Sequence, residues 1–376
     1  MNKKSYRICK RCVMDTTAED ITFNEEGICN FCEDFFEKQK KFKNFNKQKE
    51  LEKLIKKIKE DGKNKKYDCI IGISGGIDSS YTLYLAKSLG LRILAVHLDN
   101  GGDDEFAVNN IINLTKKLKV DLYNYVIDWE EYKDLMQAFF KANVVDTELI
   151  ADNAIWAICY RQASKYGVKY ILAGTNFTTE GIRIPNGWNW FKLDKKNIKS
   201  IHKKFGNKQK IKTVPLIGVI DYIYYRFIKG IKWISFLDYF DYNKNEAAKL
   251  LKEKFDFIDY PYKHYESVFT RFYQGYILPK KFGIDKRKVH LSNLICCGQM
   301  TREEALKILE EEPYPSKTLL EQDIKYFLEK LDWSYERLEE YLKEPGISHE
   351  KYGSEKWIFD WLKKIWGIVR KVVNNE

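Results

Sequence analysis

The chain has 376 residues, 65 Lys+Arg against 54 Asp+Glu, a net charge of +11 and 15% aromatic residues. Such a length suffices for two or three domains with a full core. The positive balance favours an anionic partner and leaves nucleotides, nucleic acid and acidic membrane open. The basic start is followed by no apolar stretch, and no apolar run is long enough to span a bilayer. Neither a secretory signal nor a transmembrane helix is therefore expected, and the location expected is cytoplasmic. Disulfides are rare there, so the eight cysteines need another explanation.

Four of them explain one another. Cys9-x-x-Cys12 and Cys29-x-x-Cys32 are separated by 16 residues, which is tetrathiolate zinc spacing. Two knuckles close a tetrahedron with no open position, so the zinc is structural. A redox dithiol, an iron–sulfur cluster and a nucleic-acid-binding finger are the competing readings. Asp15–Gly27 reads as a small hairpin turning at Asn24–Gly27. Glu33–Lys66 is charge-rich, with Leu51, Leu54, Ile55 and Ile58 at partly helical spacing, and reads as a linking helix.

From Tyr67 strands and helices alternate, the pattern of a parallel α/β sheet. Strands are expected at 69–73, 92–98, 122–127 and 169–173, with helices near 105–118, 130–141 and 152–166. The first strand breaks into Ser74-Gly-Gly-Ile-Asp-Ser-Ser80 and a helix follows. This layout aims backbone N–H groups and a positive helix end at one point, where an anion belongs. Ser74, Ser79 and Ser80 add hydroxyls, and Gly75 and Gly76 allow close approach. The turn lacks the lysine of G-x-x-x-x-G-K-[ST] and is not G-x-G-x-x-G. Ser-Gly-Gly-x-Asp-Ser resembles the PP-loop of ATP pyrophosphatases, which cleave ATP between the α- and β-phosphates. Asp78 fits, because Mg²⁺ on pyrophosphate prefers a hard carboxylate oxygen. Ligands sit beyond the carboxyl ends of such strands, where three segments converge: Ser74–Ser80, His97–Gly101 and Gly174–Arg183. Asp99 and Asn100 either read the adenosine or cap the next helix. Gly174 permits close approach, Thr175 and Asn176 offer donors, and Glu180 can bind a metal; a polar loop with a helix cap is the plainer reading.

Asn186–Phe205 has no clear period and reads as an insertion over the site, with Trp188, Trp190 and His202 as either core or contact residues. Lys212–Phe240, aromatic and basic, reads as buried helices with polar edges rather than as a membrane-surface segment. Lys244–Glu246 opens a further helix. His264–His290 is dense in cations, and Arg271, Lys280, Lys281, Lys286, Arg287 and Lys288 can clamp a diphosphate or remain a solvated face. Cys296 and Cys297 are expected at a helix start, ahead of a capping box of Thr301 with Glu304. Cys69 and Cys159 read as small packed hydrophobes. The tail Trp357–Val373 is amphipathic. Docking on the protein's own body is its plain account, with peripheral contact to a membrane surface or a partner as the alternative.

Further stretches identify a family. Cys9-Lys-Arg-Cys-Val-Met-Asp-Thr-Thr17, Gly27-Ile-Cys-Asn-Phe-Cys32, Ile73–Tyr81, Ala95–Gly101, Val126–Glu130, Thr179-Glu-Gly-Ile-Arg183 and the His264–Arg287 segment together resemble the N-acetyl sugar amidotransferases of WbpG and PseA type. These serve surface-polysaccharide and nonulosonate synthesis. Gly102-Asp-Asp104 departs from the pattern, where an aromatic is expected after Asn-Gly.

The resemblance implies an α/β PP-loop parallel sheet with an N-terminal zinc ribbon and a mostly helical C-terminal region. Boundaries are drawn at 1–45 (ribbon), 46–66 (linking helix), 67–260 (PP-loop domain, insertion about 185–232) and 261–376. It implies conversion of an acetamido group on a nucleotide-activated sugar to an acetamidino group, with ATP, Mg²⁺ and structural Zn²⁺. Asp78, Ser74 and Glu180 take the catalytic roles. Ser74, Gly75, Gly76, Asp78, Ser79, Ser80, Asp99, Gly174, Thr175 and Asn176 bind ATP and pyrophosphate. Asp78 and Glu180 hold the magnesium. Arg183, His202, Arg271, Lys280, Lys281 and Arg287 contact the sugar nucleotide. The chain has no segment with a glutaminase's nucleophilic Cys, His and Glu, so ammonia is expected from a separate glutaminase resembling the subunits of imidazole glycerol phosphate synthase. A homo-oligomer without nucleic acid is expected. The alternative is a PP-loop tRNA sulfurtransferase, which needs a reactive cysteine at the site, with Cys159, Cys296 and Cys297 as its candidates.

Overall fold

The computed structural model describes residues 5–43, 46–207, 210–259 and 267–373, with side chains left out at 41–43 and 365–373. Part of the cation-rich segment from His264 therefore lies outside the described residues.

Five parallel strands form one sheet in the order β3-β2-β1-β4-β5. They are β1 (Cys69–Gly72), β2 (Ile93–Asp99), β3 (Asp121–Val126), β4 (Tyr170–Ala173) and β5 (Lys232–Ser235). Cys69 lies opposite Ile93, Ile70 opposite Ile171 and Tyr170 opposite Lys232. An all-parallel sheet must be covered on both faces, and alternation along the strands assigns them. Cys69, Ile71, Ile93, Ala95, Tyr170 and Leu172 join one core, while Ile70, Leu94, Val96 and Ile171 join the other.

The helices before the sheet are α1 (Asn30–Lys43) and α2 (Lys47–Gly62). The expected linking helix is therefore two helices, and α1 starts inside the second cysteine knuckle. α2 is no mere linker either: its Leu51 and Ile58 are buried in the first core. Around the sheet run α3 (Ile77–Ser88), α4 (Glu105–Leu118), α5 (Trp129–Lys141), α6 (Leu149–Lys165), the short α7 (Phe177–Glu180), α8 (Lys195–Phe205), α9 (Val219–Ile223) and α10 (Lys244–Phe255). The insertion carries α8, capped by Asp194 and packed against α5, so part of it braces the fold instead of covering the site.

β5 is the main departure from expectation. Lys212–Phe240 is not all helix: α9 runs into a π-helical turn, Tyr224–Ile228, and then becomes the fifth strand. Trp233 stacks on Trp156 of α6, with ring centroids 4.6 Å apart. That packing, together with pairing to β4, outweighs the local helical pattern.

The C-terminal region holds α11 (Val268–Phe272), which continues as a π-helix to Phe282, then α12 (Arg287–Cys296), α13 (Arg302–Glu310), α14 (Lys317–Leu331), α15 (Tyr335–Lys343) and α16 (Lys356–Val373). It shares a core with the sheet: Phe140 of α5 meets Phe327, Trp333 and Tyr341 edge-on at 5.2–5.4 Å. The Thr301–Glu304 capping box is present. Cys296 and Cys297 stand at the end of α12, not at the start of the next helix.

Candidate nucleotide site and cysteine cluster

Beyond β1 the backbone turns at Gly75, whose φ of +80° a glycine tolerates. A Cβ there would lie 2.6 Å from the Ala107 carbonyl oxygen of α4, so the turn is wedged against that helix. Gly76 caps α3. Ser79 Oγ accepts from the Ser74 N–H at 3.2 Å and lies 3.3 Å from Ser74 Oγ, so the two hydroxyls face the turn together. Ser80 differs: it is fully buried, and its hydroxyl faces the interior.

Asp78 receives the Tyr242 hydroxyl on Oδ1. Burial and the neighbouring Asp78 charge push that phenol far up, and Glu180 adds to the effect. The Tyr242 proton therefore stays on and fixes Asp78, and Glu180 lies within electrostatic reach of the pair. Asp78 and Glu180 are the two carboxylates that the sequence offers for Mg²⁺. Tyr242 was missed in the sequence; its place just before the Asn243 cap of α10 was its only signal.

Other strand-end residues serve the scaffold. Gly174 needs to be glycine for packing: a Cβ would lie 2.7 Å from the Asp78 carbonyl carbon and 2.8 Å from the Ser79 nitrogen. Its close approach is to the start of α3. Asn176 is buried and spends both ends of its amide, accepting from the Thr179 N–H and donating to the Gly174 carbonyl. Exposed Thr175 meets Ser235 Oγ at 3.0 Å. Asp99 accepts from the Gly101 N–H at 3.0 Å, and Asn100 donates to the Tyr132 hydroxyl at 3.1 Å. These bonds hold the turn after β2, while Asp104 caps α4.

The expected substrate cations are engaged within the fold. Arg183 bridges Asp20 and Asp34 and tethers the cysteine region. Buried His202 pairs with Asp134 at 2.9 Å. Arg271, also buried, holds Asp323 through two bonds and Asp104 through a third. Lys280 lies over the Tyr276 ring. Lys281 donates to the Tyr341 and Glu344 carbonyls at the end of α15, and Arg287 to Asp285 and the Ile308 and Glu311 carbonyls at the end of α13.

A different charged group stands at the start of α6. This helix crosses β1 closely: a Cβ on Gly72 would lie 3.3 Å from Cys159 Sγ. Further up, Lys192 Nζ lies 2.7 Å from both Asp146 and Asp152. Lys286 lies 2.7 Å from Glu148, which also accepts from Gln274. Asp152 is the most exposed of these three carboxylates. Its side chain keeps 47% of its surface, yet the surrounding protein raises its carboxyl against the pull of Lys192. Tyr132, whose hydroxyl accepts from Asn100 just past β2, lies within electrostatic reach of Asp152, Asp103 and Glu148.

The four knuckle sulfurs lie within 4.8 Å of one another, all buried. Backbone N–H groups of Arg11, Cys12 and Cys29 point at Cys9 Sγ, and that of Met14 at Cys12 Sγ. Donor type, number and closeness fit tetrahedral Zn²⁺, which Cys9, Cys12, Cys29 and Cys32 would hold as a closed set. Of the expected hairpin, one isolated bridge, Phe23–Cys29, closes the turn at Asn24–Gly27, while a second bridge, Ile8–Asp15, closes the first knuckle. α12 and α13 clasp the cluster: Ser292 accepts from the Val13 N–H, Arg302 donates to the Cys9 and Cys12 carbonyls, and Cys296 Sγ lies 3.8 Å from Cys32 Sγ. Burial lifts the Cys159 thiol to about 12 and the Cys297 thiol to about 11, whereas the neighbouring Cys32 thiol lowers Cys296.

Residues 266–365 match the family model of LPS biosynthesis protein WbpG-like, C-terminal domain, and residues 47–183 match that of NAD synthase. The chain joins a PP-loop unit to a WbpG-like C-terminal domain. The PP-loop unit begins with α2 and includes Ser74–Ser79, Asp78 and Glu180. The WbpG-like domain contributes the clasp on the cysteines. Similar solved structures include an NH3-dependent NAD synthetase from Campylobacter jejuni subsp. jejuni (17% identity, 56% of this chain and 94% of that one, TM-score 0.29). Another is an NMN synthetase from Francisella tularensis (18% identity, 58% and 99%, TM-score 0.28). No curated protein matches the chain. Among the described residues, no helix is long and apolar enough to cross a membrane.

Proposed function

We propose that the chain is an ATP-dependent amidotransferase of lipopolysaccharide or nonulosonate synthesis that turns an acetamido group of a nucleotide-activated sugar into an acetamidino group. The observation that carries this reading is the pairing of a Ser74–Asp78–Ser79 turn, with Glu180 beside it, and a WbpG-like domain in one chain. An amide carbonyl is a poor electrophile. Its oxygen attacks the α-phosphorus of ATP, the bond to the β-phosphate oxygen breaks, and pyrophosphate leaves. Ammonia adds to the imidate carbon, and AMP departs with the former amide oxygen.

The chain's own residues position and neutralise more than they bond. Ser74, Ser79 and the start of α3 hold the departing pyrophosphate. Asp78, kept in place by Tyr242, and Glu180 hold Mg²⁺, which offsets the charge of the polyphosphate. The charged group of Lys192, Asp152, Glu148 and Lys286 contacts the polar sugar. The ammonia comes from a separate glutaminase.

The test is mass spectrometry of a reaction with ATP, Mg²⁺, ammonium and a panel of UDP- and CMP-linked di-N-acetyl sugars. The reading expects a product lighter by the difference between O and NH, formed with AMP and pyrophosphate, and abolished by Asp78→Ala. AMP formed only with tRNA and a sulfur donor overturns it.

A further inference from the structure

Fifteen large apolar side chains are exposed among the described residues, and six of them gather on two adjoining segments. In α9 and the π-turn after it, Ile220, Tyr224, Phe227 and Ile228 recur at helical spacing, so they share one outward face. The inward face is anchored: Tyr225 stacks on Tyr160 at 5.3 Å. In α16, Trp357 and Trp361 stand one turn apart and are 67% and 58% exposed. Phe359 between them turns inward onto Phe191 and Tyr222. The Val219 N–H donates to Glu355 Oε2 at 2.7 Å, which sets the two segments side by side.

The charge left over around this face is positive. Asp221 is held by Lys195 and Asp360 by Lys356, while Glu355 is taken by Val219. Lys229, Lys232, Lys363 and Lys364 are exposed. Lys229 lies over the Tyr224 ring and Lys363 over Phe359, with apolar stems along aromatic surface and ammonium groups outward. A self-complementary contact between two copies would set these cations against one another. Trp and Tyr beside lysines suit the headgroup layer of a bilayer.

We propose that this face, built from residues 219–229 and 356–364, docks on an anionic phospholipid surface. The docked chain lies on the membrane without crossing it. The 219–229 segment leads into the start of β5, whereas Ser74 follows the end of β1. In a parallel sheet these are opposite edges, so docking leaves the nucleotide turn open to solvent.

The test is co-sedimentation of the full chain with vesicles of phosphatidylglycerol and phosphatidylcholine, against phosphatidylcholine alone, at low and high salt. The proposal expects binding to the anionic vesicles that salt weakens. Trp357→Ala with Trp361→Ala weakens partitioning by at least about tenfold. Lys363→Gln and Lys364→Gln weaken it roughly fivefold each. Circular dichroism and ATP binding stay unchanged in all of these variants. Absence of binding to anionic vesicles at low salt overturns the proposal, as does undiminished binding by the double tryptophan variant. A dimer that the tryptophan variant dissociates, without lipid binding, overturns it in favour of a second copy.

Discussion

Replacing Arg271 by methionine tests whether this cation supports the fold or contacts substrate. Its guanidinium is 6% exposed and Asp323 4%. Nε and Nη2 reach the two Asp323 oxygens at 2.7 and 2.9 Å, Nη1 reaches Asp104 at 3.2 Å, and the Tyr314 hydroxyl also donates to Asp323. Arg271→Met leaves Asp323 buried with a single neutral donor, a loss of about 3–5 kcal/mol for an uncompensated buried carboxylate. Changing Asp323 to leucine as well removes the orphaned charge, and the double variant recovers more than half of that loss, since a packed apolar pair often replaces a buried ion pair at little cost. Urea unfolding followed by near-ultraviolet circular dichroism, with ATP turnover measured where each variant is folded, reads both quantities. An Arg271→Met protein with an unchanged urea midpoint but abolished turnover refutes the structural role and restores Arg271 as a substrate clamp.

Gly174→Ala places a Cβ against the backbone of Asp78 and Ser79; it costs about 1–3 kcal/mol and raises the KM for ATP more than a distant destabilising variant does. Tyr242→Phe removes the hydroxyl that holds Asp78; kinetics show a rise in the Mg²⁺ concentration needed for half-maximal turnover, with a stability loss of about 1 kcal/mol. His349 is buried against Trp190, bonded to Asn197 and to the Asp146 N–H, and burial holds its pKa near 4. The unfolded chain binds this proton more readily, so its contribution is full above the usual histidine value and falls as pH drops from about 6.5 to 4, by up to about 3 kcal/mol. His349→Gln flattens the stability profile across that window, as urea titrations at several pH values would show. Cys29→Ser removes one thiolate of the cluster; metal analysis finds the zinc lost, and thermal unfolding moves down by several degrees or more.

Four strands and the phosphate turn were legible because their signals are local. Ile70, Ile71 and Ile73 make an apolar run that stops at a glycine pair, and no tertiary contact is needed to read it. β5 was hidden because its four residues follow a π-helical turn and gain strand identity only from β4 and from Trp156. The partners of the cations after His264 were illegible for a similar reason. Arg287 and Lys281 finish the ends of α13 and α15, and Arg271 finds a carboxylate 52 residues away. A charge run carries no mark of the partner it will meet. The Lys192–Asp152 group was missed because its members come from the start of α6, the approach to α12 and a loop, none of which carries a motif.

The clasp on the cysteine knuckles bears on how the chain is made. Val13 bonds to Ser292 across 279 positions, and Arg302 closes over Cys9. On a ribosome adding 5–20 residues per second, the N-terminal thiols wait roughly 15–60 s before their cover is synthesised. During that interval they are open to metal, oxidant or chaperone. Zinc captured early would hold the knuckles reduced until α12 arrives, so growth under zinc limitation should lower the yield of full-length protein before it lowers the activity of the molecules that fold.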